Sequence, residues 1–193
     1  MLFNYTSQFG EDGLIEEVFK LIGIKNKWCV ECGAADGVLF SNTRLLIEQG
    51  WNSIQIESDE ERFNKLQDLY SDNKNVITLN QKVSLNIQSN LDTILDQTEC
   101  PKNLDLMVID VDGQDFYIWN SLIIYRPRVL VIEYDPTKDL KDDFIPIPSG
   151  IGQAGFNPIL LLSVGKEYIL FNKTKTNLVF IEAKEFRKSV VNL

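Results

Sequence analysis

Apolar residues recur at helical spacing from Ser7 to Gly23. Leu14, Ile15, Val18, Phe19, Leu21 and Ile22 follow an acidic first turn, and a glycine closes the run. Trp28 to Glu31 is a short apolar strand that feeds Cys32-Gly-Ala-Ala-Asp-Gly37. The pattern then alternates. Helices are predicted from Ser41 to Gly50, Glu60 to Tyr70, Asn90 to Leu95 and Phe116 to Ile124. Between them fall strands from Ser53 to Glu57, Asn75 to Leu79, Leu104 to Asp110 and Arg128 to Tyr134. Asp135 to Gly155, rich in proline and charge, reads as a long loop, and Phe156 to Val164 as a helix. Tyr168–Phe171 and Asn177–Glu182 read as two antiparallel strands joined by the polar turn Asn172–Thr176.

Strands separated by helices call for a mostly parallel α/β sheet covered on both faces, here with an antiparallel hairpin at its end. That makes seven strands in a doubly wound arrangement. Binding sites in such sheets lie beyond the carboxyl ends of the strands, where the strand order reverses. Those ends are Glu31–Gly37, Glu57–Asp59, Asn80–Ser84, Asp110–Asp115 and Glu133–Asp135, all polar or acidic although the strands themselves are apolar.

Three of these ends carry chemistry. In Glu31-Cys-Gly33-Ala34-Ala-Asp36-Gly37, small residues let a ligand lie against the backbone, and the following helix offers free N–H groups. Gly33 and Gly37 are four apart, so the spacing that cradles a dinucleotide pyrophosphate is absent, and flanking acids suit a cationic ligand better. In Ile56-Glu57-Ser58-Asp59, a carboxylate at the second strand tip can grip both hydroxyls of a ribose. In Asp110-Val-Asp112-Gly-Gln-Asp115, clustered acids form a divalent-metal site, a substrate clamp or a helix-capping turn.

The chain has 193 residues, room for one domain spanning 1–193, with no repeat and no flexible linker. Nineteen basic against twenty-eight acidic residues give a net charge of −9, which repels nucleic acid. No histidine is present, which excludes a Ser-His-Asp triad, a Cys-His dyad and a His-ligated zinc. Three cysteines, an odd count, fit a reducing compartment, and no signal-peptide pattern or membrane span is seen. A cytoplasmic protein is expected. Cys29-Val-Glu-Cys32 is a C-x-x-C lying in a strand, where positions three apart point to opposite faces, so it is not read as a redox pair. Trp28, Trp51 and Trp119 are read as core, and Lys138–Asp143 as solvated loop or a lid.

The set E-C-G-A-A-D-G, S-N-T-R-L-L, G-W, I-E, L-D-T-I-L, I-D-V-D-G-Q-D and V-L-V-I-E-Y resembles class I S-adenosylmethionine-dependent methyltransferases, specifically the FkbM-like group. The resemblance runs from Ser7 to Tyr134 and returns at Asn177–Glu182. It implies a Rossmann-like fold, with Glu31, Gly33, Ala34 and Asp36 at the methionine end of S-adenosyl-L-methionine. Glu57 and Ser58 would be at its ribose, with Asn80–Ser84 near the adenine. Asp110 would touch the cofactor, and Asp110 and Asp112 would face the methyl group and the acceptor. With no histidine in the chain, Asp110, Asp112, Glu133 or a Mg2+ or Mn2+ held by Asp110 and Asp112 is expected to assist a hydroxyl acceptor. The family often has D-x-E-G where this chain has Asp110-Val-Asp112-Gly113, a shorter arm of the same charge. The implied activity is O-methylation of a small hydroxyl-bearing, saccharide-like acceptor. Two other readings compete: a metal-dependent sugar-nucleotide transferase using the D-x-D of Asp110 and Asp112, and a silent binding domain. The acidic glycine turn argues against the transferase, since nothing basic is expected to wait for the phosphates.

Overall fold

A computed structural model describes residues 4–138, 143–148 and 152–191. Five parallel strands are β1 (Trp28–Cys32), β2 (Asn52–Glu57), β3 (Val76–Asn80), β4 (Leu106–Ile109) and β5 (Val129–Glu133). Two more, β6 (Tyr168–Lys173) and β7 (Asn177–Glu182), form an antiparallel hairpin, and β7 also pairs antiparallel with β5. The order is β3-β2-β1-β4-β5-β7-β6, so the sheet winds outward in both directions from the β1–β4 boundary. The helices are α1 (Glu11–Ile22), α2 (Arg44–Glu48), α3 (Glu60–Tyr70), α4 (Leu91–Leu95), α5 (Asp115–Ser121), α6 (Phe156–Gly165) and α7 (Ala183–Val191). None is long and apolar enough to cross a membrane among the described residues.

Side-chain alternation splits the core into two layers. Val30, Cys32, Met107, Ile109, Leu130 and Ile132 pack beneath α4, α5 and α6. Cys29, Leu106, Val108, Val129 and Val131 pack beneath α1, α2 and α3. Cys29 and Cys32 thus lie on opposite faces, as strand geometry requires. Trp51 and Trp119 are buried, while Trp28 is half-buried against the first layer.

The elements differ from the sequence pattern where a carboxylate intervenes. The first helix starts at Glu11 instead of Ser7, because Asp12 Oδ2 accepts the N–H groups of Tyr5, Thr6 and Ser7 and holds them outside the helix. The fifth ends at Ser121 instead of Ile124. Asp92 draws the N–H groups of Ile123, Ile124 and Tyr125 away from helical partners. The second begins at Arg44, three residues late, since Ser41, Asn42 and Thr43 serve Glu31. Helix α7 is unexpected. The described parts of Asp135–Gly155 contain no helix or strand; the lid reading of Lys138–Asp143 lies mostly outside the described residues.

At the amino ends of the strands, buried Arg128 donates to Glu185 at 2.9 Å, to the carbonyls of Ile22 and Gly23, and to Asp105. Asp105 also accepts the N–H groups of Lys25, Asn26 and Lys27. This network ties α1, β4, β5 and α7 together at the end of the sheet away from the clustered acids. Burial works to raise the Glu185 pKa, but Lys25, Lys188 and Arg128 outweigh it and hold the carboxyl down at about 2.

Candidate active site

The site forms where β1 and β4 part. Gly33 has φ +91, and a Cβ there would stand 1.6 Å from the Asp110 carbonyl oxygen, so only glycine lets the two strand ends approach. Its N–H and that of Ala34 donate to Ile56 O, tying the turn to β2. The N–H of Ala35 donates to Glu57 Oε2 at 2.8 Å, and that of Asp59 to Oε1 at 2.7 Å. Glu57 is buried at the strand tip, and each of its oxygens keeps a second lone pair for a ligand hydroxyl.

Two clefts meet here. One, of about 530 Å3, is lined by Gly33, Glu57, Ser58, Gln81, Lys82 and Asp110, among others. The other, of about 450 Å3, is lined by Glu31, Gly33, Ala34, Asp36, Asp110, Asp112 and Glu133. Gly33, Arg62, Asp110 and Asp112 line both, so the two form one groove across the switch point. Glu31, Gly33, Ala34, Asp36, Glu57, Ser58, Asp110, Asp112 and Glu133 all line this groove; of Asn80–Ser84, Gln81, Lys82 and Val83 line it and Asn80 and Ser84 do not.

Several of these side chains have other duties. Glu31 is buried, and its oxygens accept from Ser41 Oγ (2.7 Å), Asn42 N (2.7 Å) and Thr43 Oγ1 (2.6 Å). The N–H groups of Thr43 and Arg44 donate to Ser41 Oγ. The N–H groups of Asn42, Thr43 and Arg44, at the entry to this helix, are therefore engaged by Glu31 and Ser41. Asp36 Oδ1 accepts from Val38 and Leu39, and these bonds hold its pKa below the usual carboxylate range.

Carboxyl oxygens of Asp110, Asp112 and Glu133 lie within 4.8 Å of one another. Burial raises the pKa of both Asp110 and Glu133. The Asp110 charge pushes Glu133 further up, while a hydrogen bond from Glu133 stabilises the Asp110 carboxylate. Two acids this close favour holding a single proton between them. On its other side, Glu133 accepts from Gln153 Nε2.

Asp112, exposed and at φ +57, stands on a turn pinned by Asp115, which accepts from Val111 N (2.8 Å) and Gly113 N (3.0 Å). Burial lifts the Asp115 pKa to about 7. Sequence reading grouped Asp115 with its neighbours but gave it no part in the site. The signal available was its place immediately before the predicted helix Phe116–Ile124, where a carboxylate commonly caps. It also missed three cations at the rim: Arg62 lines both clefts, Lys82 the first and Lys65 the second. They correct the expectation that nothing basic is in reach, and they come from α3 and the segment after β3, remote in sequence from the glycine turn.

No protein-family model and no curated protein matches the chain. Solved structures do. A SAM-dependent methyltransferase from Aquifex aeolicus is 14% identical with a TM-score of 0.52, over 86% of this chain and 87% of that one. The N-terminal domain of EvdMO1, crystallised with SAH and D-fucose, is 12% identical with a TM-score of 0.56, over 89% and 82%. Magnesium protoporphyrin IX methyltransferase from Synechocystis, with bound SAM, is 9% identical with a TM-score of 0.52, over 89% and 79%.

This is the fold of SAM-dependent methyltransferases. The methyltransferase fold accounts for the order of the seven strands and for the placement of the groove at the β1–β4 boundary. Within that fold, the acidic tip of β2 and the acidic turn after β4 face each other across Gly33.

Proposed function

We propose that this chain, read as one unit over 1–193, is an S-adenosylmethionine-dependent methyltransferase of FkbM-like type. It methylates oxygen on a small, hydroxyl-bearing, saccharide-like acceptor. The observation that carries this reading is the groove itself, with a diol-gripping carboxylate, Glu57, in one cleft and a proton-sharing acid pair in the other.

The residues fit the cofactor. A sulfonium with an ammonium group favours carboxylate walls, and Glu57 has lone pairs left for two ribose hydroxyls. Ser58 stands beside it, and Gln81, Lys82 and Val83 border the nucleoside cleft. Glu31, Gly33, Ala34 and Asp36 border the amino-acid end, Glu31 chiefly by fixing the turn from within. The cofactor, when bound, supplies an electrophilic methyl group.

The chain's part is alignment and proton removal. Holding an acceptor oxygen in line with a methyl group provides much of the acceleration by proximity. Asp110, ionised and backed by protonated Glu133, is the base for the acceptor hydroxyl, and Asp112 orients the acceptor from the rim. The same three carboxylates suit Mg2+ or Mn2+, which would replace the shared proton and lower the acceptor hydroxyl pKa. Excess EDTA is then expected to slow turnover, with recovery on adding either cation. The net charge of −9 favours an acceptor other than nucleic acid, and we place the reaction in the cytoplasm.

Calorimetric titration with S-adenosylhomocysteine, run beside UDP plus Mn2+, tests the reading. Micromolar binding of the first alone supports it. Binding of UDP alone turns it to sugar-nucleotide transfer, for which Arg62, Lys65 and Lys82 provide cations. No heat from either leaves a silent domain.

A further inference from the structure

The cleft that holds Asp110, Asp112 and Glu133 is also lined by Leu39 and Phe40, whose residues are 60% and 50% exposed. Such side chains at an acidic site need a reason, because the chain could bury them by turning inward. It is prevented from doing so at both ends. Asp36 Oδ1 accepts the N–H groups of Val38 and Leu39, each at 2.9 Å. Beyond Phe40, the buried residues Ser41, Asn42 and Thr43 are bound to the Glu31 carboxylate. Phe40 itself sits at φ +61, a conformation bulky residues adopt at a cost. The turn is thus built to present two apolar side chains over the groove.

The cofactor does not explain the pair. Its amino-acid end is charged at both groups: an ammonium can be drawn to a phenyl face, but a leucine side chain offers neither charge a partner. We infer that the acceptor is amphipathic: its hydroxyl-bearing head reaches Asp110 and Glu133 while an apolar group attached to that head lodges on Leu39 and Phe40. This names the acceptor class within the proposed methyl transfer and rests on that reading. Leu39 and Phe40 then set specificity without touching the reacting atoms, since contact with an alkyl or aryl substituent is worth roughly fourfold in affinity per buried methylene.

Hexyl β-D-glucopyranoside and D-glucose, titrated separately into protein saturated with S-adenosylhomocysteine, test the inference. The hexyl glycoside is expected to bind at least tenfold tighter than glucose. Leu39→Ser and Phe40→Asn are each expected to cut that ratio severalfold while leaving S-adenosylhomocysteine affinity unchanged; asparagine tolerates the left-handed backbone at 40. If the wild type binds S-adenosylhomocysteine but takes the glycoside no better than glucose, the amphipathic acceptor is wrong and the methyltransferase reading stands. An advantage kept in full by both variants overturns it equally. Failure to bind S-adenosylhomocysteine at all removes the parent reading, and this inference with it.

Discussion

At the scale of single residues, the groove is organised by carboxylates that accept backbone N–H groups, a use that fixes loops and leaves lone pairs free. Glu57 does this toward Ala35 and Asp59, Asp115 toward Val111 and Gly113, Asp36 toward Val38 and Leu39. Glu57→Ala should weaken S-adenosylhomocysteine binding by about 1–3 kcal/mol, a loss read by calorimetry, with the far-ultraviolet circular dichroism unchanged. Undiminished affinity would show that the ribose is held elsewhere. The place of Glu57 at the groove was legible in the sequence because it ends an apolar strand, where such sheets bind ligands; its loop-fixing bonds to Ala35 and Asp59 were not. The internal engagement of Glu31 was not legible. Its partners Ser41, Asn42 and Thr43 lie ten to twelve residues on, and only folding brings them under the strand tip.

At the scale of elements, the β1–β4 junction and the Arg128 network are the two places where a single change should travel furthest. Gly33→Ala drives a methyl group into the Asp110 carbonyl at a backbone angle that disfavours alanine. A loss of about 3 kcal/mol or more is expected in urea unfolding, beyond ordinary overpacking because backbone must move. Glu185→Gln removes a carboxylate whose pKa is held below its unfolded value by Lys25, Lys188 and Arg128. Its contribution is fully present above the unfolded pKa of about 4.5 and is lost as pH falls toward about 2. At pH 7 the variant should be less stable by on the order of 2–3 kcal/mol, and the gap should close between pH 4.5 and 2. A gap that persists at pH 2 would assign the loss to packing. Strands and the longer helices were readable because their apolar periodicity is set locally. Helix α7 was not: its interior face is thin, with Ala183 and Glu185 as its buried residues, and the network it joins is assembled from distant segments.

At the scale of the whole molecule, ligand binding and folding are linked, because the groove exists only when five strand ends are assembled. S-adenosylhomocysteine at a hundred times its dissociation constant should stabilise the fold by about 2.7 kcal/mol. For a chain of this size that is a rise of roughly 5–10 °C in melting temperature, measurable by differential scanning fluorimetry. The sheet order carries a second consequence. Strand β7, buried at every residue, lies between β5 and β6, yet it is the last strand in the chain. As the polypeptide emerges during synthesis, β5 must wait with an unpaired edge while the next forty or so residues appear, and β6 arrives with no sheet to join. Only when Asn177–Glu182 clears the ribosome can the gap close. A chain halted before that point carries an open apolar edge on β5, the form in which this protein is most exposed to aggregation and to capture by chaperones.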